Sequence, residues 1–304
     1  MPAPRPSPPP SATHWLAPFT GRRLTVLTGA GLLAAFLLAR LGLIGEGAAS
    51  AAVGVLVSVA AALFVIRDAL TLRVEAPFRA LGLAAAAGLV FATVVPVVTT
   101  VLPGAPAFDA DLEGVGARAA LPGGLAGPVR ILVHARLPEG GAPEIRFRLG
   151  GTQPPAEGQV ERIMSSARIG RGMRAPVPFD HPTTFLDAQL ARGAAALTLD
   201  RLDGSPQGPL HVAVYPIAFT LGRLWAATAG LLLAAAVLER RGRGHAASAA
   251  GMALAFAHLV RGQATPDAPL LTTLGAVALG ALLGAVAAAL LTWLVGRLVR
   301  PVDP

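Results

Sequence analysis

Six apolar runs dominate what this chain can fold into. Residues 24–44, 48–66 and 80–102 precede the one long segment that reads as water-soluble, and residues 217–238, 246–260 and 270–296 follow it. About 20 consecutive apolar residues suffice for a helix to cross the hydrocarbon core of a bilayer. Only 14% of the chain is charged and 54% is hydrophobic, where soluble domains carry roughly a quarter charged residues. Composition therefore assigns it to the membrane class. The expected fold is an α-helical integral membrane protein of about six transmembrane helices, three plus three. Residues 103–216 form an inserted all-β extracytoplasmic domain, sandwich- or jelly-roll-like. The remaining divisions are a Pro-rich cytoplasmic tail at 1–20, membrane segments at 21–102 and 217–300, and a cytoplasmic end at 301–304.

The net charge of +8 is distributed unevenly. The insert holds 11 Arg and 11 acidic residues, so it is neutral, and most of the other Arg flank apolar runs. A nucleic-acid surface needs a basic face on a soluble domain, so no nucleic-acid partner is expected. If all six runs cross, Arg22, Arg23, Arg67, Arg73, Arg79, Arg240, Arg241, Arg243, Arg297 and Arg300 share one side. The positive-inside bias makes that side the cytoplasm, here of a bacterial inner membrane, with both termini inside and the insert outside. Membrane lipids are then partners. The first run is too long, and too far from the start, for a cleaved signal peptide. The fifth has 15 residues and contains His258, so it either crosses or dips. Two three-helix halves of opposite orientation have the arithmetic of an inverted repeat, although the halves share only Leu, Ala and Gly composition.

Small residues recur every fourth position at Ser50, Gly54, Ser58 and Ala62, and at Ala276, Gly280, Gly284 and Ala288. Such stripes let helix backbones approach, within one bundle or between subunits. Pro96 should kink the third helix, with Thr93, Thr99 and Thr100 placed to satisfy the backbone around it.

The insert alternates apolar and polar residues with period two, the mark of half-buried strands. In 129–137, Val129, Ile131, Val133, Ala135 and Leu137 oppose Arg130, His134 and Arg136. Segments 144–149 and 210–215 repeat the pattern, and 160–169, 175–179, 185–190 and 194–199 are weaker candidates. Seven or so short strands separated by Gly-containing turns suggest a sandwich.

No phosphate loop, HExxH, nucleophile elbow or dinucleotide fingerprint is present. No catalytic residue, metal ligand set or cofactor is assigned, and without Cys there are neither disulfides nor thiolates. Two clusters invite a chemical reading. Arg40, Arg223, His258 and Arg261 fall near the outward membrane surface in the six-crossing arrangement, with Glu46 and Asp267. A cation inside an apolar run costs ~2.5 kcal/mol or more at the centre. Such an Arg either binds a phosphate or anionic substrate at the outer leaflet, or snorkels and pairs as structural glue. The second cluster, Asp180, His181 and Asp187, offers carboxylates beside an imidazole, or an ordinary Pro-bounded polar loop. His134 and His211 read as exposed strand residues.

These features favour a non-catalytic anchor or complex subunit whose outward β-domain binds a protein or glycan partner, of unspecified oligomeric state. The alternatives are a transporter or lipid-handling subunit binding an anionic headgroup, and a membrane enzyme acting on a lipid-linked substrate.

Overall fold

The computed structural model describes residues 21–71, 75–123, 125–168, 174–217, 219–242, 244–266 and 268–298. The expectations for residues 1–20 and 301–304, and for Arg73, Arg243, Asp267 and Arg300, lie outside the described residues. The described residues form six helices and two antiparallel sheets. Contacts divide it into two compact units, one comprising residues up to Leu102 and from Leu224 onward, the other Pro103–Arg223.

The helices are α1 (Gly21–Arg40), α2 (Glu46–Thr71), α3 (Ala76–Val101), α4 (Leu221–Gly242), α5 (Ala246–Gln263) and α6 (Leu270–Leu298). Each apolar run yields one helix, and local chemistry moves the ends. α1 stops at Arg40, short of residue 44, because Gly42 takes φ +70°. The Leu43 N–H then donates to the Leu38 carbonyl and the Gly42 N–H to that of Ala39. These two bonds are the Schellman closure that a left-handed glycine permits. α3 begins earlier than its run because Pro77 fits the first turn, where a missing N–H is no loss. Around Pro96 the hydroxyls bond one turn back, Thr93 to the Leu89 carbonyl and Thr100 to that of Pro96, each at 2.7 Å.

α1, α2, α3, α4 and α6 are long and apolar enough to cross a membrane. α5 is shorter, and most of it is buried against α2, α3 and α6. A helix enclosed by others needs no continuous apolar exterior.

Side-chain sizes in this unit are inverted relative to a soluble domain. The interior is largely Ala, as at Ala62, Ala86, Ala236, Ala250 and Ala253, while Val26, Leu282, Leu290, Trp225 and Trp293 are each more than half exposed. The small-residue stripes face inward, toward neighbouring helices of the same chain. A Cβ on Gly284 would overlap the backbone of Gly251 and Met252, and one on Gly280 would lie 2.7 Å from the Phe256 nitrogen. On α2, Gly54 faces the Val97 side chain of α3, and Ser50, Ser58 and Ala62 are buried.

The second unit contains β1 (Phe108–Leu112), β2 (Arg118–Ala120), β3 (Gly127–His134), β4 (Glu144–Gly150), β5 (Ala156–Arg168), β6 (Arg174–His181), β7 (Thr183–Leu190), β8 (Ala196–Asp203) and β9 (Leu210–Pro216). Each of the seven expected segments contributes a strand, although β3 ends at His134, β8 begins at Ala196 and residue 169 lies outside the described residues; β1 and β2 are additional. One sheet has the order β1-β9-β3-β7, the other β2-β8-β4-β5-β6. A single apolar core draws on both, with Ile131, Val133, Leu210 and Val212 from the first and Ile145, Phe147, Leu149, Leu197 and Leu199 from the second. A bulge between Arg148 and Leu149 shifts the register against β8.

The α5–α6 seam yields a direct test. Gly284→Val should destabilise the full chain by about 1–3 kcal/mol or more, as overpacking does, and lower its melting temperature in detergent. Gly275→Val, where a Cβ meets no atom within 4 Å, should leave the melt unchanged.

Candidate functional site

In the helical unit, the described polar contacts concentrate at helix ends. The first amides of a helix lack intrahelical acceptors and carry a partial positive charge. At the start of α5 the His245 N–H donates to Asp68 Oδ2 at 2.5 Å, and the Ala247 N–H to Glu239 Oε2 at 2.8 Å. Both carboxylates come from other helices, and Asp68 is almost fully buried. At the start of α6 the Leu270 N–H donates to Glu46 Oε2 at 2.9 Å, with Thr273 Oγ1 donating to Ser50 Oγ at 2.9 Å beside it. Glu46 thus serves a helix end.

The three cations and the imidazole singled out from sequence are placed as follows. Arg40 closes α1 and lies 5.6 Å from the Phe36 ring centre. His258 Nε2 is 2.9 Å from Thr228 Oγ1, and its ring stacks on Trp225 at 4.1 Å between centres; both contacts tie α5 to α4. Arg261 is buried in the last turn of α5, where a cation complements the helix dipole. Arg223 is exposed in the first turn of α4, and its N–H donates to the capping hydroxyl of Thr220 at 3.2 Å. Contacts group Arg223 with the β unit, and Arg40, His258 and Arg261 with the helical one.

Asp180, His181 and Asp187 are distributed over both sheets. Asp180, on β6, receives two hydrogen bonds from Arg162, Nε to Oδ1 at 2.5 Å and Nη2 to Oδ2 at 3.1 Å. Arg162 Nη1 also donates to the Pro138 carbonyl at 2.8 Å, clamping the turn before β4 onto β5. The hydrogen bond from Arg162 holds the Asp180 carboxyl below its ordinary range, and the same bond raises the guanidinium. His181 pairs with Glu161 in the β5–β6 ladder. Asp187 lies on β7 in the other sheet, 3.7 Å from Arg130 Nε. Among the described residues no group of three His, Asp or Glu side chains is arranged to hold a metal ion.

Two features had no clear signal in the sequence. Arg130 alternates outward on β3 yet is buried, its guanidinium 4.2 Å from the Phe185 ring centre. Phe185 meets Tyr215 edge-on at 6.5 Å. Register then aligns a polar row across that sheet face. His211 Nδ1 is 2.9 Å from Asp111 Oδ1, His134 Nδ1 is 2.9 Å from Thr183 Oγ1, and His134 stands opposite His211.

The outer face of the second sheet is exposed and charged. Arg146 pairs with Glu144 at 2.6 Å, Arg148 with Glu157 at 3.6 Å and Arg201 with Asp203 at 2.8 Å. The Glu144 hydrogen bond raises the Arg146 guanidinium. Arg146, Arg148, Glu157, Arg201 and Asp203 line an open groove of about 420 Å³, with Phe147, Gly158 and Gln159.

Compared with protein-family models, curated proteins and solved structures, the chain finds no match in any of the three.

Two predictions follow from these pairs. Because the folded-state Asp180 carboxyl is lowered, its stabilisation is present above the unfolded value of about 3.9 and disappears as pH falls through the lower folded value. The melting difference between the native chain and Asp180→Asn should persist at neutral pH and close below about pH 4. Asp68→Ala should cost about 1.5–3 kcal/mol, because it removes a hydrogen bond from the part-buried His245 N–H to a charged carboxylate, and thermal melts of the full chain in detergent measure it.

Proposed function

We propose that the chain is a membrane-anchored recognition protein, with no catalytic role, whose β unit binds a protein or glycan partner outside the cytoplasm. The supporting observation is the inverted helical unit, with Ala, Gly, Ser and Thr inside and Leu, Val and Trp outside. Large exposed apolar surfaces suit a lipid solvent and would aggregate in water, and helices in lipid pack through small residues. In this reading all six helices cross, α5 within a ring of the others, and the Arg distribution keeps both termini in the cytoplasm of a bacterial inner membrane. Polar contacts at the ends of α5 and α6, and the ties from His258 to α4, favour an anchor over a transport path. Membrane transport sites place ionisable groups at mid-depth.

The β unit supports a jelly-roll sandwich. Without β6, its sheets have the orders β1-β9-β3-β7 and β2-β8-β4-β5, consecutive strands mostly alternating between sheets. Its docking face is the groove carrying Arg146, Arg148 and Arg201. Exposed pairs there contribute little stability, but they are placed to orient an incoming charged surface.

A chain without native Cys allows single-cysteine labelling. Ser205→Cys should react with a membrane-impermeant maleimide in intact cells, and Glu75→Cys only after permeabilisation; the reverse pattern would place the β unit in the cytosol. Arg148→Glu with Arg201→Glu should abolish in-cell cross-links from position 205 to a partner while the melting temperature holds. Cross-links that survive the reversal move the docking face elsewhere.

A further inference from the structure

The helical unit contains an apolar cleft of about 290 Å³ between α1, α2, α5 and α6. On α1 it is lined by Thr25, Thr28, Gly29 and Leu32, and on α2 by Val57, Ala60, Ala61 and Phe64, over a floor that includes Ala253 and Phe256. The two hydroxyls are already used, Thr25 Oγ1 donating to the Gly21 carbonyl and Thr28 Oγ1 to that of Leu24. The cleft therefore offers an apolar ligand no unsatisfied polar group. From Thr25 to Leu32 it runs about 10 Å at the helical rise of 1.5 Å per residue. That is roughly two-thirds of the ~15 Å depth of one leaflet.

One end of the cleft is basic. Residues three and four apart share a helix face, so Arg22 continues the stripe of Thr25 and Gly29, and Arg67 continues that of Phe64. The two helix ends adjoin: Arg67 Nη1 lies 2.9 Å from where a Cβ on Gly21 would stand, and the Phe64 ring lies 3.5 Å from the same point. Arg23 adds a further charge to this first turn of α1. A cleft that is apolar along its length and cationic at its mouth matches one amphiphile chemistry, an acyl chain attached to an anion.

We infer that this cleft holds one acyl chain of an anionic phospholipid, with Arg22 and Arg67 at its phosphate. The inference rests on the membrane reading above, and assigns a lipid at the end opposite to the outer-leaflet cluster of Arg40, His258 and Arg261. Guanidinium matches a phosphate with paired hydrogen bonds, and the cluster of Arg charges selects a lipid with net negative charge over a zwitterionic one.

Gly29 gives the test its main variant, because a Cβ there meets nothing within 4 Å. Gly29→Phe places a ring at the lining of the cleft from a Cβ that itself meets no neighbour. Gly230→Phe, on α4 and equally open, is the control. The full chain is reconstituted in nanodiscs with equal phosphatidylglycerol and phosphatidylethanolamine, then released for native mass spectrometry. The native chain and Gly230→Phe should retain one phosphatidylglycerol. Gly29→Phe, and Arg22→Gln with Arg67→Gln, should retain about tenfold less, as expected for losing one charge-assisted phosphate interaction or its apolar counterpart. Equal retention by Gly29→Phe and Gly230→Phe overturns the assignment. So does equal retention of the two lipids by the native chain. A dimer dissolved by Gly29→Phe also overturns it, giving the cleft to a second copy. Alkaline carbonate extraction separates the two levels. A chain released into the soluble fraction defeats the membrane reading itself, whereas an integral chain without bound lipid defeats only the cleft.

Discussion

The helical unit depends on how the ends of its enclosed helix are satisfied. The first amides of a helix have no acceptor within it, and those at the start of α5 are part-buried, so leaving them unpaired costs free energy. Asp68 of α2 and Glu239 of α4 meet that need at the start of α5. Glu46, at the other end of α2, does the same for α6. α2 therefore acts as a strut, anchoring one helix at each of its ends through a carboxylate. The acidic side chains that stand out in apolar flanks are explained by the amides they cap.

Close approach does the rest. Gly251 and Gly284 let α5 and α6 meet backbone to backbone, and an Ala-rich interior keeps α2, α3, α4 and α5 near one another. Bulk is displaced to the exterior, where Leu and Trp are exposed. The β unit follows the opposite rule. Its core is Val, Ile, Leu and Phe from two sheets, and, Arg130 apart, its described charge pairs lie on the outside, as Arg148–Glu157 does. One chain thus contains two packing regimes, each suited to a different surrounding.

Much of this was legible because the signals are local. Apolar runs marked the six described helices, and strand patterning, clearest as alternation in β3, β4 and β9, marked seven of the nine described strands. β2 is three residues long, too short for periodicity to register, and β1 is a five-residue segment with two acids. Gly42 was readable in principle as a stop signal, but hydropathy outweighed it. What stayed hidden was non-local. Arg130 looks solvated by alternation, yet β3 lies between β9 and β7, and Phe185 and Asp187 from β7 enclose it. His134 and His211 became neighbours only through strand register. Asp68 and Glu239 acquire meaning only once the start of α5 is placed beside them.

The meeting of Gly251 with Gly284 also bears on how such a chain can diverge. Neither position can accept a side chain while the other holds its place, so a single codon change at either one is blocked and compensation would require shifting an entire helix. The outward-facing Leu282 and Leu283, two and one residues before Gly284, are free to exchange among apolar types. Descendants of this sequence should therefore drift rapidly over the exterior while the α5–α6 seam stays fixed at Gly251, Gly280 and Gly284.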